Sequence, residues 1–245
     1  MSLPRFYVDG VLEVGGEVAL PAAVAHHALR VLRLRDDDAV ILFNGRGGEF
    51  HARLRLDAQR AGARVGQFDP VERESPLAVT LVQAWVATEK LDWIAEKAVE
   101  LGAAGLVLVP AARSVVRLAA DRLERRLAHL RQLAIAACEQ CGRNRVPPVM
   151  AVADISAALE CAEASNRLVL APDGRAGLAD AVAVQDAGAA VVLVGPEGGF
   201  TADEIALAVK LGCRSVRLGP RVLRTETAGL VALAALQGRF GDLGG

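Results

Sequence analysis

From Pro76 onward the chain alternates apolar runs of strand length with amphipathic helical stretches, and this rhythm constrains the fold more than any other feature of its 245 residues. Leu77 to Val86 reads as a strand, and Thr88 to Leu101 as a helix with Leu91, Ile94, Ala98 and Leu101 on one face and Gly102 as its stop. Leu106 to Val109 is a strand ended by Pro110, and Asp121 to Gln140 is a long arginine-rich helix. Further strands at Arg167 to Ala171, Ala190 to Val194 and Ser215 to Leu218 interleave with helices at Ile155 to Ala164 and Ala202 to Leu211. Such alternation predicts an α/β domain, a mainly parallel sheet covered by helices. In open sheets of this kind, ligands bind beyond the carboxyl ends of the strands.

The first part has a different rhythm. Only Ala22 to Leu34 carries helical periodicity, and the rest reads as short strands with turns: Arg5 to Val8, Ala39 to Phe43, Glu49 to Leu54 and Ala63 to Gly66. Asn44-Gly-Arg-Gly-Gly48 joins two of these as a glycine-rich hairpin loop would. A small β-barrel is the expectation. Asp69 to Pro76 then mixes charge with two prolines, as linkers do, so the reading is two domains, 1–72 and 77–245.

Composition excludes several classes. With 53 % hydrophobic residues the chain has ample material for a packed core. No early segment pairs a basic start with an apolar run of about 7–15 residues, and none approaches the roughly 18 uncharged apolar residues of a spanning helix, so a soluble cytoplasmic protein is expected. Of four cysteines only Cys138 and Cys141 are close, too few for a zinc site, and the reading is buried or idle thiols with no metal. The net charge of −1 argues against a uniformly basic coat. Between Arg113 and Arg145, however, eight arginines face three acids, a net of +5. Lysine occurs only at positions 90, 97 and 210, so arginine supplies nearly all the positive charge, and guanidinium groups suit phosphate contacts.

Three loops follow strand ends. Val194-Gly-Pro-Glu-Gly-Gly-Phe200 leads into a capping box, Thr201 with Glu204, so it joins a strand to a helix, and its glycines allow unusual angles and close approach to the main chain. Ala171-Pro-Asp-Gly174 and Leu218-Gly-Pro-Arg221 hold equivalent positions. Together they predict one pocket made chiefly of backbone. Neither the dinucleotide nor the triphosphate fingerprint is met, Glu197 would repel phosphates, and no G-x-S-x-G or histidine-rich constellation exists. A phosphate-free adenosine-type ligand is compatible. The closing segment Leu223 to Gln237 has Thr225 as a plausible N-cap, and beyond Ala228 it is apolar or small on every side, which implies cover by its own domain, a second subunit, or both.

The pieces VGPEGGFTADEI and LGPRVLRTETA closely resemble the SPOUT superfamily of knotted methyltransferases. Within it they are most similar to the small ribosomal subunit RNA methyltransferase E family, which makes N3-methyluridine in 16S ribosomal RNA. HHALRVLRLRDDDAVILFNGRGGEF (His26 to Phe50) is similar to that family's amino-terminal PUA-like domain, and EKAVELGAAGLVLVPAARSVVR and ACEQCGRNRVP to its central segments. The resemblance implies a deep trefoil knot, an exception to the rule against threaded chains. It also implies a homodimer and S-adenosylmethionine as cofactor. By matching positions Leu170, Ala171 and Pro172, then Val194, Gly195, Pro196, Glu197, Gly198 and Gly199, then Leu218, Gly219, Pro220, Leu223, Thr225 and Ala228 would wrap it.

The implied substrate sets the chemistry. Uracil N3 is a poor nucleophile until its proton leaves, so a base and a nearby positive charge are required. Arg224 and Arg143 are the candidate cations, with Glu139 or Glu226 as candidate bases. RNA contacts are expected from the barrel and the arginine-rich window, at Arg5, Arg30, Arg33, Arg113, Arg117 and Arg145.

Overall fold

The computed structural model describes residues 3–57, 61–115, 119–162, 164–181 and 188–244. The chain divides into two compact units, Met1–Glu74 with Cys138–Val146, and Ser75–Ala137 with Pro147–Gly245.

The first unit contains β1 (Arg5–Tyr7), β2 (Glu17–Ala19), α1 (Ala22–His26), β3 (Ala39–Phe43), β4 (Glu49–Leu56) and β5 (Ala61–Asp69). They form a small curled sheet in the order β1-β3-β4-β5-β2, antiparallel except for β1 against β3. Phe6, Val8, Leu42, Leu54 and Val65 fill its core. A register shift between Phe50 and Ala52 bends β4 against β5, as bulges do. The expected helix from Ala22 to Leu34 is shorter and irregular. After five residues of α1 it passes into a π-helical turn, His27–Val31, with the Leu32 amide donating to His27 O, and it ends at Arg33 in the left-handed region, φ 56°.

What reads as a solvated linker is an ion-paired seam inside this unit. Arg73 donates to Glu49, Arg145 to Glu72, and Arg143 forms a two-point pair with Glu74. The segment Cys138–Val146, placed by the sequence reading in the second domain, clusters here instead, with Arg145 bridging Arg46.

The second unit holds β6 (Ala78–Ala84), α2 (Thr88–Glu100), β7 (Ala103–Val109), α3 (Ala120–Cys141, through Ala137), β8 (Val149–Ala151), α4 (Ile155–Cys161), β9 (Asn166–Leu170), β10 (Ala176–Gly177), α5 (Leu178–Ala181), β11 (Ala189–Val194), α6 (Ala202–Lys210), β12 (Arg214–Arg217) and α7 (Thr225–Phe240). Its seven strands are ordered β10-β12-β9-β11-β6-β7-β8, and every pairing is parallel, as the β-α alternation requires. The chain builds outward from β6 to β8, crosses over, and then inserts β11 between β6 and β9. That insertion is the reversal of strand order beside which open sheets hold ligands.

The last helix is not covered all round within its own chain. Gly229, Ala232, Leu233 and Leu236 are buried, and a Cβ at Gly229 would lie 3.1 Å from Leu81 Cδ1, so α7 packs close to the sheet. On its other side Val231 is 40 % exposed, and Thr227, Ala235 and Gly238 share that open stripe.

Candidate functional site

The carboxyl ends of β12, β9 and β11 lie side by side, with Val216 in register with Leu170 and Leu193 with Val169. The three loops that leave them converge on one cavity of about 630 Å³. Its lining includes all but one of the residues that the resemblance assigns to the cofactor, Pro220 being the exception.

Each glycine of the VGPEGGF loop has its own cause. A Cβ on Gly195 would sit 2.7 Å from Phe200 N, because the loop folds back on itself. One on Gly198 would meet the Arg113 side chain at 3.2 Å, and Arg113 Nη1 donates to Gly198 O at 2.8 Å. Gly199 has open space but a φ of 68°, which favours glycine. After the loop, Thr201 Oγ1 accepts from the Glu204 amide and Glu204 Oε2 from the Thr201 amide, the capping box expected from sequence. Glu204 Oε1 also accepts from the Ala112 amide, tying in the segment after β7.

Thr225 is the first helical residue of α7, not its N-cap, which is Arg224 without a side-chain cap bond. Its hydroxyl turns inward instead, donating to Gly195 O at 2.6 Å and accepting from Gln83 Nε2 at 3.0 Å. The start of the final helix is thus pinned to the loop after β11. Gln83 is fully buried in β6, and the sequence reading passed over it; its amide in an apolar strand was the available signal.

Glu197 is exposed on the cavity wall. Burial raises its carboxyl, but its own amide, Lys90 Nζ at 3.2 Å and the Ala87 amide outweigh this and hold it below the usual carboxylate range. Lys90, also missed from sequence, faces Glu226 Oε2 at 3.7 Å as well. Arg224 and Glu226 both line the cavity, and Arg224 is exposed with no side-chain partner among the described residues.

The other two candidate catalytic residues belong to the first unit and do not line this cavity. Arg143 is 4 % exposed and committed to Glu74. Glu139 accepts from the Tyr7 amide at 2.8 Å, and burial lifts its carboxyl above the ordinary value. Among the expected RNA contacts, Arg5 pairs with Glu49, donates to Asn144 and Arg143 O, and stacks over Phe43. Arg30 and Arg33 are exposed, Arg113 borders the cavity, Arg145 is exposed but paired with Glu72, and Arg117 lies outside the described residues.

Burial pushes the Cys138 thiol up to about 12 and Cys213 to about 11, which makes both poor nucleophiles. Among the described residues no cluster of His, Cys, Asp or Glu could hold a metal ion, and no helix is long and apolar enough to cross a membrane.

Known proteins with this architecture share both units. Residues 73–237 match the RNA methyltransferase domain model, and residues 20–57 the RNA methyltransferase PUA domain model. Ribosomal RNA small subunit methyltransferase E of Mycobacterium bovis is 35 % identical, covering 94 % of this chain and 90 % of the relative, and that of Bacillus subtilis 31 % identical over 96 % of each. Among solved structures, the methyltransferase E of Neisseria gonorrhoeae bound to S-adenosyl methionine is 39 % identical, with a TM-score of 0.88 over 98 % of this chain and 99 % of that one. A methyltransferase from Legionella pneumophila in complex with the cofactor SAM is 33 % identical, with a TM-score of 0.93 over 99 % and 100 %. With the strand order, the backbone-walled cavity and both domain matches in agreement, the chain belongs to the ribosomal RNA small subunit methyltransferase E family.

Proposed function

We propose that the chain uses S-adenosylmethionine to methylate N3 of a specific uridine in the 16S ribosomal RNA of the small subunit, acting in the cytoplasm as a homodimer. The observation that carries this reading is the cavity at the strand-order reversal, where glycine-rich main chain and apolar side chains meet charged residues of both signs. Its residues fit the cofactor. Ala171, Pro172, Val194, Leu218 and Leu223 offer apolar walls to an adenosine, and the bare backbone of Gly195, Gly199 and Gly219 lets a ligand approach the main chain. When bound, the cofactor supplies an electrophilic methyl group on a sulfonium.

The chain's own residues supply the rest. Arg224, without a side-chain partner among the described residues, stabilises the uracil anion without losing its own proton. Glu226 on the same wall is the base. The internal commitments of Glu139 and Arg143 favour this pair over them. Arg30, Arg33, Arg113 and Arg145 position the RNA through phosphates. The open stripe around Val231 on α7 supports a second copy as its cover.

Transfer of labelled methyl to small subunits and to naked 16S RNA tests the reading. Arg224→Ala is expected to lose about 100-fold in kcat, the scale of removing one charge-stabilising donor, with cofactor affinity nearly unchanged. Mass spectrometry of the product locates the methyl group, and any position other than uridine N3 overturns the assignment. Calorimetric titration showing no S-adenosylmethionine binding would instead favour a noncatalytic RNA-binding factor.

A further inference from the structure

Lys90 stands where three elements meet at the cavity. It is the third residue of α2, Glu197 comes from the loop after β11, and Glu226 is the second residue of α7. The two carboxylates have unequal surroundings. Glu197 accepts from the Ala87 amide and from Lys90 within hydrogen-bond distance. Glu226 Oε2 is shut off from solvent, accepts no hydrogen bond, and has Lys90 Nζ at 3.7 Å as its nearby cation. A buried carboxylate oxygen without a donor is costly unless something supplies one.

We propose that Lys90 is a positioning residue for the reaction: anchored on Glu197, its ammonium fixes the buried Oε2 of Glu226 and so orients the carboxylate at the cavity wall, where it accepts the proton of the substrate nitrogen. The inference rests on the methyltransferase reading above. The N3–H bond breaks and its proton passes to the Glu226 carboxylate; the N3 electron pair forms the bond to the methyl carbon as the S–C pair returns to sulfur. Residue choice supports the assignment. This chain uses arginine almost everywhere, yet lysine stands here. A compact ammonium can serve two carboxylates from different elements, whereas a guanidinium fork favours two-point pairing with one. Lys97 also serves two carboxylates, Glu96 and Glu100, both on its own helix. The remaining charges around the cavity are Arg113 after β7, Asp173 after β9, and Arg221 and Arg224 ahead of α7.

The test compares Lys90→Met, Lys90→Arg and Glu226→Gln in the full chain. Lys90→Met removes the ammonium that orients the carboxylate. At neutral pH, kcat should fall while KM for the small subunit and calorimetric affinity for S-adenosylmethionine hold within about twofold, a loss confined to the transition state. Hydrogen exchange at 195–199 in the free protein should quicken, because the loop loses an anchor. Lys90→Arg should restore part of kcat, because a guanidinium keeps the charge but favours two-point pairing with one carboxylate. Glu226→Gln should lower kcat at least as far, and adding Lys90→Met to it should cost nothing further. An unchanged kcat in Lys90→Met, a rate loss explained by weaker cofactor binding, or a further loss on adding Lys90→Met to Glu226→Gln overturns the proposal. If Glu226→Gln is as fast as the wild type, the base assignment falls with it, while methyl transfer by both variants leaves the methyltransferase reading standing.

Discussion

The residues that most affect stability are those whose partners come from far along the chain. Glu49 is paired with Arg5 at 2.5 Å and Arg73 at 2.9 Å and is 6 % exposed. Burial pushes its carboxyl up, but the two guanidinium groups pull harder and bring it down to about 2 from an ordinary 4.5. The unfolded chain protonates this group near 4.5 and the folded chain only near 2, so its contribution is complete above the first value and lost as pH falls through the second. Linkage sets that contribution at about 3 kcal/mol, and Glu49→Gln should abolish this part of the acid dependence in urea titrations between those limits. At the site, Thr225→Val would leave Gly195 O and Gln83 Nε2 without their hydroxyl partner, and thermal unfolding should report a loss of about 1–3 kcal/mol. Neither role was legible in the sequence: Glu49 opens an alternating strand where a charge reads as solvent-facing, and Thr225 looks like a helix cap until Gly195 is seen 30 residues away in the chain.

Elements were legible where their signals are local. The capping box of α6, the buried face of α2 with its Gly102 stop, and the strands β6 and β11 follow from spacing within a dozen residues. Glu204→Ala removes the side-chain half of that box, the bond accepted from the Thr201 amide, together with the Ala112 tether, and should cost about 1 kcal/mol in chemical denaturation, with the cavity loop exchanging faster. Elements were misread where tertiary contacts prevail over periodicity. The π-helical turn His27–Val31 carries a helical pattern, yet it closes on the i→i+5 bond from Leu32 to His27 and leaves Arg30 and Val31 exposed. The short strands β2, β8 and β10 have two or three residues each, too few for any period to register.

For the molecule as a whole, the parallel α/β class was readable from alternation, but the order of its strands was not. Nothing local announces that β11 enters between β6 and β9, pairing Ala189 with Ala78 across more than a hundred residues. The same is true of the stripe on α7, which is apolar in sequence whether or not its own chain covers it. Val231→Glu should turn the proposed dimer into a monomer in sedimentation measurements, with an unchanged sedimentation coefficient counting against the dimer.

The composition of the first unit has a consequence for the order in which the protein can be made. Glu72 and Glu74 find their arginines, and Arg5 its Asn144, only in the segment that ends at Val146. A nascent chain that has delivered the whole five-stranded sheet still lacks these partners, so its final stability waits for some seventy further residues to be synthesised. The amino-terminal unit is therefore encoded first and finished late.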